Sequence, residues 1–597
     1  MTLSTVLLGA AAVLAAGAGG AGARPLPMRG VIEGFYGPPW SGDARRDVIR
    51  FIGGKGMNTF VYAPKNDPFH RARWRDPYPA DALADLAGTA VVARRARVRF
   101  VYALSPALDV CYSCAADFDA LTAKLAQVAG AGVRRFALLF DDAPAALEDP
   151  ADVPRYGGGD AAALARAQAD LANRTARWLR RHRLGRLELV VPTDYAGDAC
   201  HPYHVELGRR LARGMPVGWT GGGVFAPTIT ASEARARARC LRHPVVLWDN
   251  FPANDTVLSI NLHLGPLTGR DPGLARVLHG HLFNPMLEAH ASLVALGTAA
   301  AYLRNPRGYD PERAWRETLA ELGGPGLTVL AENTRSSALD LDDARPLAAA
   351  VDALAGAFDG PGWAVAMAAL AAEEARQGAA PAAIAAELGE SPLAAEIAPW
   401  VAELAAHAAR GAEAVTLLRA LKPGFGPVTV TYAGDQVTVA GRVLSPDAAT
   451  AARLGPGFVA EARAVAARIA APDVGGFLAC LGDLLGADIR FCTTFGLNVH
   501  GKALYFVIHA PDLSDVHIVT DRNVHDRLLQ LAGAAYAAWA ARRAPGDDAL
   551  TLTIDGLPAP LAADGSFSLT FPRPVVGNDI RLLVTTAGGD ATAQSVP

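Results

Sequence analysis

The sequence has almost no excess charge of either sign. Its 56 lysine and arginine residues are balanced by 59 aspartate and glutamate residues, which gives a formal net charge of -3. Because no basic stripe stands out, nucleic acid and anionic membrane surfaces are poor candidates for partners. No G-x-G-x-x-G or P-loop motif follows any strand-like segment, and no acidic cluster has the spacing of a cation site. The sequence therefore predicts neither a metal nor a cofactor.

Cysteine is scarce, with six residues in a chain of 597. Cys111 and Cys114 have the spacing of a redox or zinc pair, but no second ligand pair lies nearby. A local disulfide or two unreactive thiols is therefore favoured for that pair. The full set fits an exported protein with a few disulfides, although the sequence does not choose the pairing: Cys111, Cys114, Cys200, Cys240, Cys480 and Cys492.

Long hydrophobic segments are lacking apart from the first residues. Residues 3–16 are apolar and small, and Ala21-Gly22-Ala23 looks like a signal-peptidase site. No lysine or arginine precedes Arg24, so the positive charge that normally opens a signal peptide is missing. The run is also weakly hydrophobic for a membrane span. We therefore expect residues 1–27 to be a signal peptide or leader and the protein to be secreted or extracytoplasmic. An uncleaved N-terminal anchor is the alternative.

What the sequence does contain is a repeated unit of a short apolar run, a polar or glycine-bearing break and a helical stretch. Eight such runs occur, at 30–36, 59–63, 99–104, 136–140, 188–191, 217–220, 245–248 and 281–283. Eight βα units over about 275 residues match the size of a (β/α)8 barrel, whose active site lies at the C-terminal ends of the strands. A doubly wound open sheet is the alternative, but it usually carries a phosphate loop. The predicted fold class is therefore α/β, with a TIM barrel at 28–305.

The fourth run, Phe136–Phe140, is a continuous apolar segment of the kind that is buried on both faces in a parallel sheet. It ends in Asp141 and Asp142, and Pro144 stops the element. Two adjacent carboxylates at the mouth of a buried strand repel each other, which raises at least one pKa and suits that group to donate a proton near neutral pH. Taken alone, a helix N-cap in the following loop is the more common explanation.

Polar and aromatic residues follow most of the other runs as well. Taken singly, each has an ordinary explanation: a lysine is a solvated loop charge and an asparagine forms a turn. Their joint placement is harder to explain in that way, because a barrel brings the ends of its strands to one pocket. We therefore predict a binding site formed with the two aspartates by the following residues: Gly34, Tyr36, Lys65, Tyr195, Trp219, Trp248, Asn250, Asp255 and Asn284.

Several of these segments together resemble glycoside hydrolase family 84. That family comprises β-N-acetylglucosaminidases and O-GlcNAcases, including bacterial enzymes once called hyaluronidases. Asn66 departs from the family pattern, because many relatives carry an acid after the lysine. The resemblance covers about 28–305 and is carried by seven ordered motifs: R-G-V-I-E-G-F-Y-G at 29–37, Y-A-P-K-N-D-P-F-H-R at 62–71, F-D-D at 140–142, P-T-D-Y at 192–195, W-T-G at 219–221, W-D-N-F-P-A-N-D at 248–255 and F-N-P-M at 283–286.

The resemblance implies a retaining exo-β-N-acetylglucosaminidase that needs no metal. Ordinary retaining glycosidases hold two carboxylates about 5 Å apart across the scissile bond, which adjacent residues would not span. In substrate-assisted cleavage, the 2-acetamido oxygen of the sugar instead attacks its own anomeric carbon and forms an oxazoline. By similarity, Asp141 orients the acetamido group and Asp142 is the acid/base. The implied partner is a carbohydrate or glycoprotein that carries terminal N-acetylglucosamine (GlcNAc).

The resemblance also implies roles in sugar binding for the other rim residues. Tyr195 resembles the hydroxyl donor to the acetamido oxygen, and Asn250 a positioning group beside the aspartates. The remaining residues are implied as ligands of the 3-hydroxyl side (Gly34 and Lys65), of the 4- and 6-hydroxyls (Asp255) and of another hydroxyl (Asn284), and as walls of the pocket (Trp219, Trp248 and Tyr36).

Two alternative functions stay open. The first is a catalytically weak GlcNAc-binding relative, against which the presence of both aspartates and Tyr195 argues. The second is a hexosaminidase that acts on hyaluronan- or chitin-type oligosaccharides. Barrel hexosaminidases and chitinases of other families usually place a glutamate as the acid, and no such pattern stands at 140–144.

Beyond the barrel the composition changes. Residues 306–424 are rich in Ala and Leu, are broken at 323–325 and 360–362, and predict a helical bundle. Residues 425–545 predict an α/β accessory region, with a hairpin at 428–443, strands at 503–508 and 516–519, and helices at 457–470 and 523–541. A β-rich unit with a turn at Asp564-Gly565 follows at 546–597. Four histidines in this part lack ligand spacing and are expected to be surface or packed residues: His500, His509, His517 and His525.

Overall fold

Eight parallel strands close into a barrel in the computed structural model of this chain. Each strand pairs with the next along the chain, and β1 also pairs with β8, which closes the sheet. The prediction of a TIM barrel is therefore confirmed. The first strand ends three residues earlier than predicted, because the chain leaves the sheet before Gly34. The strands are β1 (Met28–Glu33), β2 (Thr59–Tyr62), β3 (Arg99–Leu104), β4 (Arg135–Leu139), β5 (Arg186–Val191), β6 (Val217–Trp219), β7 (Val245–Asp249) and β8 (Gly280–Phe283).

The structure describes residues 25–421, apart from 159, 256–261, 341 and 358–360, and ten further β-strands between residues 430 and 596. Several sequence predictions lie outside these residues. They concern the leader up to residue 24, Cys480, Cys492, His500, His525, the Asp564-Gly565 turn and the helices at 457–470 and 523–541. No helix of the described part is long and apolar enough to cross a membrane.

Helices surround the barrel, and side chains or backbone turns fix their starts. The Ser41 hydroxyl accepts from the N–H of Ala44 at the start of α1, and Thr230 forms a capping box with Glu233 at the start of α7. The helices of the barrel are α1 (Gly42–Gly54), α2 (Ala80–Arg95), α3 (Ala115–Gly130), α4 (Val153–Tyr156), α5 (Ala161–Arg181), α6 (Pro202–Arg210), α7 (Ala231–Leu241) and α8 (Ser292–Arg304), with short 3-10 turns at Pro150–Asp152, Pro272–Arg276 and Pro306–Gly308.

Strand side chains alternate between two separate apolar clusters. In β4, Ala137 and Leu139 belong to a cluster made almost entirely of strand residues, which fills the barrel interior. Phe136, Leu138 and Phe140 instead join the larger cluster that also contains residues of the surrounding helices. Because the side-chain period of a strand is two, this alternation fixes which residues beyond each strand continue toward the barrel axis.

A helical segment follows the barrel and packs against it. Its apolar core combines Leu319, Leu330 and Ile384 with Met286 and Val294 of the barrel domain. The predicted break at 323–325 lies between the first two of these helices, and α12 and α13 pack against each other. The helices are α9 (Pro311–Leu322), α10 (Pro325–Asn333), α11 (Arg345–Gly356), α12 (Trp363–Leu388) and α13 (Pro392–Leu421).

The strands after residue 421 form three small antiparallel sheets. The predicted strands at 503–508 and 516–519 fall within β13 and β14. The sheets contain β9 (Val430–Ala433), β10 (Gln436–Val439) and β11 (Arg442–Leu444); β12 (Thr493–Val499), β13 (Lys502–His509) and β14 (Asp515–Thr520); and β15 (Thr551–Ile554), β16 (Leu557–Ala559), β17 (Ile580–Thr585) and β18 (Ala591–Val596).

Two disulfides stabilise the loops of the barrel domain. Cys111 and Cys114 form the local disulfide that their spacing favoured. Cys200, in the loop after β5, is bonded to Cys240 near the end of α7. The second bond links two neighbouring βα units that the sequence did not pair.

Candidate active site

A cavity of about 500 Å³ opens at the C-terminal ends of the barrel strands. Ten of the eleven predicted site residues line it. The cavity volume lies within the range of about 300–1,000 Å³ that is typical of small-molecule sites. The predicted residues that line it are Gly34, Tyr36, Lys65, Asp141, Asp142, Tyr195, Trp248, Asn250, Asp255 and Asn284, and five further residues join them, namely Arg71, Val191, Thr220, Val224 and Phe225.

The strand alternation explains why these side chains meet. Ala137 and Leu139 point into the barrel, and the same period of two directs Asp141 to the barrel axis. Val61 in β2 and Ala63 directly after it place Lys65 on the inner side in the same way. Gly34, Asn250 and Asn284 likewise follow inward-facing residues of β1, β7 and β8. The pocket therefore continues the barrel interior beyond the strand ends, where polar side chains follow the apolar ones.

Trp219 is the predicted residue that does not line the cavity. It has the outward parity of Val217, and both belong to the cluster that faces the helices. Its indole is buried, and Nε1 donates a 2.8 Å hydrogen bond to the carbonyl of Gly197. The next residue, Thr220, has the inward parity and lines the cavity instead. The expected aromatic wall at this strand is therefore a threonine.

Asp141 is buried beside a cation. The Lys65 ammonium donates to Asp141 Oδ2, and the two side chains are only 1% and 5% exposed. The other carboxylate oxygen, Oδ1, is buried and has no hydrogen-bond partner among the described residues. Lys65 Nζ also lies 5.3 Å from the ring centroid of Trp248. One oxygen of Asp141 is therefore neutralised, and the other is available to a donor in the pocket.

Asp142 is held by two phenols. Oδ2 accepts from the Tyr36 hydroxyl at 2.8 Å, and Oδ1 accepts from the Tyr195 hydroxyl at 2.7 Å. Its backbone has a φ of 49°, in the left-handed region that few non-glycine residues adopt. Arg71 donates from Nη2 to the Asp142 carbonyl oxygen at 2.6 Å.

The pKa of Asp142 is shifted in the direction opposite to the rise that adjacent carboxylates predict for at least one of the pair. Burial alone would raise the pKa of Asp142. The Lys65 ammonium and the two phenol donors outweigh burial, so the pKa of Asp142 lies below its usual range. The expected rise from repulsion between adjacent carboxylates is therefore not found at Asp142, because each of the two carboxylates has donors of its own.

A chain of amides joins three strands at the other side of the cavity. Asn284 accepts from the Gly34 N–H at 3.0 Å and donates to Asn250 Oδ1 at 3.0 Å. Trp248 Nε1 donates to the same oxygen at 2.8 Å. A Cβ at Gly34 would overlap the Trp248 ring, so the backbone approaches the indole as closely as glycine allows. The Gly34 N–H therefore fixes the orientation of the Asn284 amide, and the Trp248 indole N–H fixes that of the Asn250 amide.

Asp255 completes the rim. It accepts from the backbone N–H of Tyr36 at 2.7 Å, and burial raises its pKa. Behind this wall Asp249 receives two bonds from Arg270, of 2.6 and 2.8 Å, and one from His281 Nε2 at 2.9 Å. Burial would raise the pKa of Asp249, but the arginine outweighs it and holds that pKa well below its usual range.

Within the described residues, one group of side chains has the geometry of a metal site. It consists of Cys111, Cys114 and Asp149, and its two cysteines are bonded to each other rather than available as thiolates.

Residues 29–338, just over half of the chain, match the family model described as beta-N-acetylglucosaminidase. Among curated proteins, the Protein O-GlcNAcase of Rattus norvegicus is 35% identical over 299 residues, which are 49% of this chain and 31% of the rat protein. The Mus musculus protein of the same name is 35% identical over 305 residues, 50% of this chain and 32% of the mouse protein. The match therefore spans about a third of the length of these two relatives.

Solved structures give the same likeness. A mutant of the Thermobaculum terrenum O-GlcNAc hydrolase aligns with a TM-score of 0.62 and 30% identity, over 66% of this chain and 85% of that chain. CpGH84B aligns with a TM-score of 0.59 and 27% identity, over 66% of this chain and 69% of that chain. Both alignments reach beyond the length of the barrel alone.

Proposed function

This chain belongs to the β-N-acetylglucosaminidase family, glycoside hydrolase family 84, and we propose that it removes terminal β-linked GlcNAc with retention of configuration and with the substrate as its own nucleophile. The observation that carries the proposal is the difference between the two adjacent aspartates. Asp141 has one oxygen on the Lys65 ammonium and one without a partner among the described residues. Asp142 is held by hydroxyl groups, which can exchange partners.

In the first step, the acetamido oxygen of the sugar attacks the anomeric carbon. A new C1–O bond forms while the bond to the leaving oxygen breaks. Positive charge develops on the acetamido nitrogen, and Asp141 Oδ1 accepts the hydrogen bond from its N–H. The Asp141 carboxylate, held in place by its ion pair with Lys65, stabilises that charge.

Asp142 transfers the proton in both steps. It protonates the leaving oxygen as the glycosidic bond breaks, and its carboxylate then removes a proton from the water that opens the oxazoline at C1. To donate, Asp142 must first bind a proton, although its phenol donors favour the ionised form. Tyr195 has a single hydroxyl proton, so donating it to the acetamido oxygen removes one bond from Asp142. Substrate binding therefore raises the pKa of the acid at the time when it must be protonated.

The rest of the cavity suits one terminal hexose. The indole of Trp248 offers an apolar face, and Asp255 and the amides of Asn250 and Asn284 offer hydrogen-bond partners for hydroxyl groups. A pocket at the end of a closed barrel supports exo-action on a chain terminus rather than internal cleavage.

The role of Asp142 is tested with aryl β-GlcNAc substrates whose leaving groups differ in acidity. We expect Asp142→Ala to lower kcat/KM by roughly 10²–10⁴-fold for a poor leaving group, and much less for an activated one that needs no acid. Equal losses for both substrates would contradict the acid role.

The role of Asp141 is tested by Asp141→Asn and by a thiazoline mimic of the oxazoline. We expect the variant to lose most activity on every leaving group, because the orienting charge is absent. The mimic should bind the wild-type protein tightly as an intermediate analogue. A mimic that does not inhibit the active wild-type protein would exclude substrate assistance.

The natural substrate is proposed to be a glycoprotein that carries O-GlcNAc. The names of the rat, mouse and Thermobaculum terrenum relatives support this choice. GlcNAc release from a panel that also contains N-glycan, mucin, peptidoglycan and hyaluronan fragments tests it, and faster release from a non-protein glycan would overturn it.

Export is proposed as well, because the two disulfides of the barrel domain suit an oxidising compartment. N-terminal sequencing of the protein recovered outside the cytoplasm tests the leader, and we expect cleavage after Ala23. Full-length protein confined to the cytoplasm would contradict the proposal.

A further inference from the structure

We infer that Arg71 is a positioning residue for Asp142, because one guanidinium fixes both the backbone of Asp142 and the phenol that contacts its carboxylate. This inference rests on the proposed role of Asp142 as the acid/base. Arg71 lies in the loop after β2, is 8% exposed and lines the cavity. Nη1 lies 2.9 Å from the Tyr36 hydroxyl oxygen, and Nη2 lies 2.6 Å from the carbonyl oxygen of Asp142.

The guanidinium determines the direction of the hydrogen bonds. Arginine can only donate, so the Tyr36 oxygen accepts from Arg71 Nη1. The single proton of Tyr36 is then directed to Asp142 Oδ2, 2.8 Å away. Without Arg71, the Tyr36 hydroxyl is free to rotate to another acceptor. Arg71 therefore places one donor on the carboxylate without touching that carboxylate.

The second bond acts on the backbone of Asp142. A φ of 49° is a strained backbone conformation for a residue with a side chain, and it persists when its surroundings hold it. The Arg71 Nη2 bond to the carbonyl holds the peptide plane that follows Asp142. Because that plane and the side chain share one Cα, releasing the carbonyl changes the direction in which the carboxylate points.

The loop that carries Arg71 is itself anchored. Buried Asp67 accepts from the Tyr62 hydroxyl at 2.8 Å, the Tyr78 hydroxyl at 2.5 Å and the Phe69 N–H at 2.9 Å. The backbone of His70 accepts from Ser105 N–H at 3.0 Å. The guanidinium is thus presented from a fixed loop, as a positioning group requires.

Arg71 also contributes charge. The Arg71 guanidinium favours the ionised form of the Asp142 carboxyl group. The titratable groups that face Asp142 come from the ends of β1, β2, β4 and β5 and from the loops after β2 and β7. Replacing Arg71 with a neutral residue therefore raises the pKa of Asp142 and also removes the bonds that orient its carboxylate. The groups in question are Tyr36, Lys65, Arg71, Asp141, Tyr195 and Asp255.

The test compares Arg71→Gln and Arg71→Lys with the wild-type protein on aryl β-GlcNAc substrates. We expect Arg71→Gln to lower kcat/KM by about 10–100-fold for a poor leaving group, because a small misplacement of a catalytic group has effects of this order. The loss for an activated leaving group should stay within about threefold, because that step needs no acid. The basic limb of the kcat profile should move up by about one pH unit.

Arg71→Lys separates charge from geometry. Lysine keeps the positive charge but lacks the two-pronged guanidinium that reaches two acceptors. Arg71→Lys should therefore still lose more activity on the poor leaving group than on the activated one, while the basic limb of its kcat profile moves less than that of Arg71→Gln. Arg73→Gln is the matched control, because Arg73 lies in the same loop, is 62% exposed and pairs with Asp76. This control should match the wild-type protein on both substrates.

Binding of the thiazoline mimic shows whether each variant keeps a folded pocket, and its affinity should change less than about threefold because the mimic contains no leaving group. Equal losses on both substrates, or no loss on either, would overturn the role of Arg71. A wild-type protein that does not release GlcNAc would instead overturn the proposed function, so the two failures are distinguishable.

Discussion

Asp249 in the barrel and Glu374 in the helical segment behind it are both buried carboxyl groups, but their pKa values are shifted in opposite directions. In the barrel, Asp249 is 1% exposed and receives bonds from Arg270 and His281, which hold its pKa well below the usual range against the effect of burial. In α12, Glu374 is 2% exposed, and neither of its oxygens has a partner among the described residues. Burial raises the pKa of Glu374 to about 8.

The difference follows from what each region positions. Asp249 lies between Trp248 and Asn250, whose side chains form the cavity wall, so a fixed ion pair also fixes the wall. Glu374 packs against Gly411 of α13, where only glycine leaves room for its carboxyl group. A protonated carboxyl group there fills space between two helices. The pKa values of these two buried acids therefore differ because Asp249 has cationic partners, whereas Glu374 has no partner for its oxygens among the described residues.

Breaking the ion pair of the barrel should give the largest effect. Arg270→Met leaves Asp249 as a buried charge with only His281, and removing one partner of a buried pair costs about 3–5 kcal/mol. Denaturant unfolding measures the loss of unfolding free energy. Exposed Arg239 on α7 is the control, and Arg239→Met should change stability by less than about 0.5 kcal/mol. Similar losses for both variants would mean that the pair does not support the barrel.

Removing the charge of Glu374 should sharpen the contrast. The folded pKa of about 8 lies above the value of 4.5 for an exposed glutamate carboxyl group. The folded state therefore binds the proton more tightly, and stability is highest below pH 4.5 and falls as the pH rises to 8, by up to about 4 kcal/mol. Asp249 has the opposite sign, because its contribution is present above the unfolded pKa of aspartate and is lost as the pH falls.

Glu374→Gln keeps the shape and removes this titration. We expect it to match the wild-type protein near pH 4.5 and to be the more stable of the two at pH 9, as thermal unfolding across that range would measure. Glu317→Gln on the exposed face of α9 is the control and should show no such pH dependence. Parallel stability profiles for Glu374→Gln and the wild-type protein would show that Glu374 is not neutral in the folded state.

A neutral buried pair should be the least costly to break. In the helical segment, the Gln377 side-chain oxygen accepts from Asn333 at 2.7 Å. Asn333→Leu removes this bond and keeps the size of the side chain, and Gln377 still donates to Glu373 Oε1 at 2.7 Å. We expect a loss of about 1 kcal/mol. A loss as large as that of Arg270→Met would contradict the view that charge, rather than burial, sets the cost.

The barrel could be predicted because its pattern is local. Each strand is a largely apolar run of three to six residues, and the period of two then determines which following residues enter the pocket. Applied strictly, that period would have placed Thr220 in the cavity and Trp219 against the helices. The resemblance, rather than the strand period, implied a wall role for Trp219, which does not line the cavity.

Other features could not be predicted from local pattern. The pKa of Asp142 depends on phenols from the ends of β1 and β5, which sequence proximity to Asp141 does not reveal. Arg71 belongs to the motif at 62–71, but the two acceptors of its guanidinium, the Tyr36 hydroxyl and the Asp142 carbonyl, are distant in sequence. Nothing in the local sequence distinguishes Glu374 from the other helix glutamates, because Gly411, against which it packs, lies on the next helix.

The close approach of Gly34 to the Trp248 ring has an evolutionary consequence. Any side chain at position 34 collides with the indole of Trp248. Any shift of the indole disturbs the amide oxygen of Asn250, which accepts from both Trp248 and Asn284. A single substitution at position 34 therefore meets a steep fitness barrier, and a smaller residue at position 248 has to arise first. In diverging descendants of this chain, these two sites should change together or stay unchanged.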